Sequence, residues 1–74
     1  METIGNRAYK EIEKRAIQNG IKPSNEAEKI LINSNVLSKW KLYGDPSAYY
    51  LQQMCLAGYD VIYILTGERK DNGK

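Results

Sequence analysis

Glycines at positions 20, 44, 58 and 67 cut this 74-residue chain into short segments. The first three cuts are followed within three residues by Pro23, by Asp45-Pro46-Ser47 and by Asp60, all of which favour helix starts. A polar cluster, Asn33-Ser34-Asn35, makes one more break between positions 20 and 44. A chain punctuated so often can form only short elements. No apolar run approaches the ~18 residues of a membrane span, so no membrane association is expected.

Apolar spacing inside the segments follows the helical period. The first helix is predicted over 7–19, capped by Asn6 and stopped by Gly20, with Ala8, Tyr9, Ile12 and Ala16 on one stripe. On another face lie Arg7, Lys10 and Lys14, and Glu11 can pair with Arg15 four residues on. Ile21, past the stop, is expected to fold back. A second helix is predicted over 23–31, with Pro23 in its first turn or Ser24 or Asn25 as its cap, and Ala27, Ile30 and Leu31 inward. Asn33 or Ser34 can cap a third, whose Leu37 and Trp40 point inward, before Gly44 ends it. A fourth runs from Asp45-Pro46-Ser47 to Gly58, with Ala48, Leu51, Met54 and Cys55 as its buried stripe. Cys55 is thus read as an inert core thiol. Adjacent Tyr49 and Tyr50 cannot both point inward.

The segment 61–65, Val-Ile-Tyr-Ile-Leu, has strand composition. No second strand exists to pair with it, and a lone strand leaves its backbone groups unsatisfied. A short helix capped by Asp60 is therefore expected. The fold class is all-α, a bundle of five short helices forming one domain over 1–74. Its ordered core covers about 6–67, with the first five residues and the tail 68–74 frayed. A chain of this size buries only ~60% of its unfolded surface, so packing is marginal unless it dimerises.

One cysteine and no histidine exclude most site chemistry. Structural zinc needs about four Cys/His ligands, and Cys-His or Ser-His pairs cannot form. No enzyme activity, cofactor, metal or small-molecule substrate is expected. Lacking a basic, apolar, small-residue leader pattern, the chain is expected in the cytoplasm. The net charge is +2, but residues 1–44 carry eight Lys/Arg against five Asp/Glu, and residues 45–74 carry three against four. A basic front half suits a domain that offers one side to an anion.

Two strings carry a resemblance. Leu37-Ser38-Lys39-Trp40 matches the pattern I/V/L-S-[RK]-W, and Pro46-Ser47-Ala48, Leu51, Met54, Ala57-Gly58, Asp60-Val61 and Tyr63-Ile64-Leu65-Thr66-Gly67 follow P-S-A-x-x-L-x-x-L-x-x-A-G-x-D-V-x-Y-[IV]-L-T-G at most of its positions. Over about residues 21–69 the chain resembles the Cro/repressor-type (lambda repressor-like) helix-turn-helix domains of phage and prophage transcriptional regulators. Counted from Pro23, Ala27 falls fifth, Ile30 eighth, Leu37 fifteenth and Trp40 eighteenth. The resemblance implies sequence-specific binding of a double-stranded DNA operator by a small regulator, as a repressor and a homodimer. It places Ser34, Asn35, Val36, Ser38 and Lys39 at the bases. Lys41, with Lys10, Lys14 and Arg7, would meet phosphates. A chain this short holds no separate dimerisation domain, so helix five and exposed tyrosines would form the dimer.

The chain departs from the family pattern at three positions. Pro23 replaces a phosphate-contacting Gln, Glu26 an apolar residue, and Leu31 the turn glycine. A left-handed Leu is costly, so Asn33 is expected to take the unusual backbone angles instead. These departures also suit an alternative, a protein-interaction module that keeps the fold and binds another regulator or a host protein.

Overall fold

The computed structural model describes residues 2–69. From Lys70 on, the expected frayed tail lies outside them. Among the described residues there are five helices and no strand: α1 (Ile4–Asn19), α2 (Pro23–Glu28), α3 (Ser34–Leu42), α4 (Ala48–Leu56) and α5 (Val61–Thr66). No helix among them is long and apolar enough to cross a membrane. The β-branched run is helical, as its lack of a partner strand requires. Asp60 caps it, its Oδ1 accepting the Tyr63 N–H at 3.0 Å.

Helix α1 begins three residues earlier than expected. Thr3 is its N-cap: Thr3 Oγ1 accepts the Asn6 N–H (2.9 Å) and Asn6 Oδ1 accepts the Thr3 N–H (3.1 Å). Asn6 is therefore the returning arm of a capping box rather than the cap, and the expected frayed start from Thr3 on is helical or capped. Helix α2 is shorter than the predicted 23–31. Its N-cap, Lys22, makes no side-chain bond, so neither Ser24 nor Asn25 serves as cap.

Three helices end alike. The Ile21 N–H reaches back to the Ala16 carbonyl, Ile32 to Ala27 and Tyr59 to Met54, each at 3.0 Å. These bonds span five residues and follow one residue in the left-handed region. Glycine occupies that position twice (Gly20, φ 70°; Gly58, φ 91°), and Leu31 occupies it at α2 with φ 64°. The expectation for Asn33 is thus overturned: it has φ −70°, and Leu31 takes the strain. Returning the chain this way turns Ile32 and Tyr59 into the core and leaves Ile21 half-buried, while Leu31, expected inward, is 69% exposed.

The core joins Ala8, Ile12 and Ala16 of α1 to Ala27, Ile32, Leu37, Trp40, Met54, Tyr59 and Ile64. On α4 the buried stripe lies about one residue round from the predicted one. Tyr50, Leu51, Met54 and Ala57 pack inward, and Ala48 and Cys55 are exposed. Tyr50 explains the rotation: its ring meets Trp40 edge-on at 5.6 Å, while Tyr49 stands outside. Glu26, the polar departure in α2, is buried, with Asn19 Nδ2 donating to its Oε1 at 3.0 Å and Lys29 Nζ at 3.6 Å. A buried carboxylate is tolerated only with such partners.

Helix α1 holds the others by their ends. Asn6 Nδ2 donates to the Trp40 and Lys41 carbonyls (2.9 and 3.0 Å), closing α3. Arg7 donates to the Ile64 and Leu65 carbonyls (2.8 and 3.2 Å), closing α5. Arg15 donates to the Ala57 carbonyl (2.8 Å), closing α4, and its guanidinium lies 3.7 Å above the Tyr59 ring centre. The predicted Glu11–Arg15 pair does not form; Glu11 instead meets Arg69 at 2.8 Å.

Two stability predictions follow from these ends. Leu31→Asn should stabilise the fold by about 1 kcal/mol, because Asn tolerates left-handed geometry and the lost side chain is exposed. Thermal melting checks it, with a rise of ~4–8 °C expected. Tyr59→Phe should leave stability at neutral pH equal or higher, since the buried Tyr59 hydroxyl has no hydrogen-bond partner. Burial raises the Tyr59 pKa above the ordinary 10.0 against the opposing pull of Arg15. The folded state therefore prefers neutral tyrosine. That preference costs nothing below pH 10.0, and stability falls above it as the unfolded chain ionises first. Urea titrations on both sides of that value should show a smaller alkaline loss in the phenylalanine variant.

Candidate nucleic-acid interface

Helix α3 is amphipathic by spacing. Leu37 and Trp40 are buried, and Asn33 caps the N-terminus by accepting the Asn35 N–H at 2.7 Å. Asn35, Ser38, Lys39 and Leu42, spaced three and four apart, share the opposite face and are all exposed. Ser34, Ser38 and Lys41 form a flank beside it. Val36 falls on the other flank, half-buried and packed on the core, so the structure removes it from the outward set. Leu42, 70% exposed, joins that set. Its signal is its place four residues after Ser38, masked by its apolar side chain on an otherwise polar face.

What positions α3 is its C-terminal end. Besides the Asn6 bonds, the Gly5 N–H donates to Asp45 Oδ1 at 3.1 Å. Gly5 is buried against Gly44, and a Cβ on Gly5 would overlap the Gly44 carbonyl oxygen. Glycine at position 5 thus permits a close approach of α1 to the α3–α4 turn.

A cleft of about 270 Å³ separates the start of α2 from α3, lined by Tyr9, Lys22, Ser24, Ser34, Ser38 and Lys41 among others. Lys41 Nζ lies 5.6 Å from the Tyr9 ring centre. Two cations and three hydroxyl-bearing serines of two helices meet there, a donor set suited to a phosphate. Lys22 and Ser24 were missed from sequence. Their signal was adjacency to Pro23, which supplies no N–H donor of its own at the start of α2.

The other basic candidates stand elsewhere. Arg7 is turned to the α5 carbonyls and 3.8 Å from Glu2, with its side chain only 13% exposed. Lys10 pairs with Glu2 at 2.9 Å; that hydrogen bond raises the Lys10 pKa and lowers that of Glu2. Lys14 is exposed. Both lysines project nearly opposite the Ala8, Ile12, Ala16 stripe, away from the Tyr9 flank that meets the cleft. The structure brings Ser34, Asn35, Ser38, Lys39 and Lys41 together and leaves Arg7, Lys10 and Lys14 apart from them.

Gly5→Ala should destabilise the domain by about 1–3 kcal/mol, the usual range for overpacking, despite alanine's better helix propensity. Emission from Trp40, the only tryptophan, should shift as α3 moves from its seat. Unchanged melting and emission would show that the turn gives way cheaply.

Compared with protein-family models, with curated proteins and with solved structures, the chain has no match, so what α3 can do is argued from its own residues.

Proposed function

We propose that this chain is a Cro/repressor-type, lambda repressor-like helix-turn-helix domain that binds a specific site on double-stranded DNA as a small transcriptional regulator, acting as a repressor by occlusion. In this reading α2 and α3 are the helix pair and α3 is the reader. The outward face of α3 carries it: Asn35, Ser38 and Lys39 stand exposed on a helix held from behind by Leu37 and Trp40. An α-helix with its side chains is about 10–12 Å across, which fits a major groove ~12 Å wide. Asn35 has the donor and acceptor that adenine presents, and Lys39 the donor that guanine accepts. Ser34 and Ser38 reach a base edge or a phosphate. Lys22 and Lys41 take backbone phosphates, fixing register without reading sequence.

A single domain of this size covers little DNA, and a two-fold dimer on paired half-sites supplies the rest. Two touching copies of a body measuring 36 × 26 × 22 Å can place their reading helices near the ~34–36 Å of one helical turn. Leu56, Ile62 and Leu65 are exposed on α4 and α5, away from the reading face in sequence, and supply apolar surface for that contact.

A second reading, binding of another regulator or a host protein, is favoured by one observation. Leu42 and Tyr43, each 70% exposed, end the reading helix with an apolar patch. Selection of sites from a random duplex library discriminates the two, since a protein-binding module enriches no sequence.

On a selected site, Lys39→Ala should weaken binding by ~1–3 kcal/mol, and Lys14→Ala should change it little. Anisotropy titrations check this, and equal losses would remove α3 from the reader's role. Lys22→Ala and Lys41→Ala should each lower the slope of log affinity against log salt by about 1.

A further inference from the structure

Leu31 joins two features that a structural role does not explain. It is the one non-glycine residue with positive φ among the described residues, and its side chain is 69% exposed. Strain of this kind is removed by glycine or asparagine. The leucine side chain returns little packing for it, because Ile32 makes the buried contact that closes α2. Backbone strain with no compensating burial points to a use outside the free fold.

Its place suggests the use. Leu31 lines a shallow concavity of about 300 Å³ with Glu28, Ile32, Asn33 and Ser34, so it stands on one surface with the first turn of α3. We infer that Leu31 is a specificity residue that packs against the 5-methyl group of a thymine at the edge of the site read by α3. This rests on the DNA-binding reading. Two carbon surfaces of a duplex could meet a leucine, a thymine methyl or a deoxyribose. Glu28 decides between them. Glu28 lines the same concavity, and its negative charge repels the phosphates that flank every sugar, whereas the methyl lies on the floor of the major groove. A carboxylate there also accepts from a cytosine or adenine amino group beside the thymine.

The test separates strain from contact, because the two change in opposite directions. Leu31→Asn and Leu31→Gly are compared with the wild-type chain for melting and for affinity on a selected duplex. Each thymine of that duplex is also replaced in turn by uracil, which lacks only the methyl. Both variants should keep or gain thermal stability and lose roughly five- to tenfold in affinity, the size of one apolar contact. Uracil at one thymine should cost the wild-type chain a similar factor and the variants almost nothing, so that the two changes do not add. Variants that bind as tightly as the wild-type chain overturn the contact. So does a uracil effect equal in wild type and variants at every thymine. A wild-type chain that selects no duplex overturns the DNA reading itself, and is told apart because binding then fails before any variant is made.

Discussion

Three side chains of α1 close the carbonyl ends of three other helices, and the placement of everything else follows from that. The last carbonyls of a helix have no partner within it and carry the negative end of its dipole. Short helices feel this most, since unpaired ends are a large share of their backbone. Here α5 has six residues and α3 and α4 nine each. Two of the three donors are arginines, so charge and hydrogen bond act together at the ends of α4 and α5. Helix α1, with 16 residues, is the one element long enough to reach all three. The bundle is organised around its polar edges as much as around its apolar stripe.

That arrangement decides what could be read from the sequence. The helices, their order and most of the core were legible because apolar spacing and punctuation act over a few residues. Trp40, Leu37, Met54 and Ile12 are buried as their spacing required. The same local rules misassigned each long-range donor. Asn6 looked like a cap for its own helix, Arg15 like the partner of Glu11, and Arg7 like a phosphate ligand. Asn6 and Arg15 each have a plausible partner within four residues, Arg7 looks solvent-facing beside Lys10 and Lys14, and the true partners lie 34 to 58 positions away. Pattern reading also placed Cys55 inside, because nothing in α4 alone announces that Tyr50 packs against Trp40. On the exposed face of α3 the sequence named Ser34, Asn35, Ser38, Lys39 and Lys41. It overlooked Leu42, and it overlooked Lys22 and Ser24, which reach the same cleft from another helix.

The stance of α3 joins the fold to its proposed use. Its buried side is fixed by two large residues, and its C-terminal end by Asn6 and by the contact between Gly5 and the α3–α4 turn. Its N-terminal end is held by the Asn33 cap and by Ile32 and Val36 packed on the core, next to the strained Leu31 turn. In the proposed DNA-binding reading, the first turn of α3 is the part that meets base edges. Basic residues in its last turn, Lys39 and Lys41, complement the dipole and also flank the exposed face.

Leu31 is where the proposed binding would be set against folding in so small a body. A domain of this size has little stability to lose, and a left-handed leucine takes a noticeable part of it. Elsewhere in the chain the same turn is made with glycine, at Gly20 and Gly58, so the backbone does not require a side chain there. A Cβ at Gly20 would meet open space and one at Gly58 the tip of Arg15, whereas the turn at α2 sits beside the first residues of α3. Strain is therefore found at the one of these three turns that borders the exposed face of α3 and is absent from the two that do not. A fold built only for its own stability would place the glycine at position 31 as well.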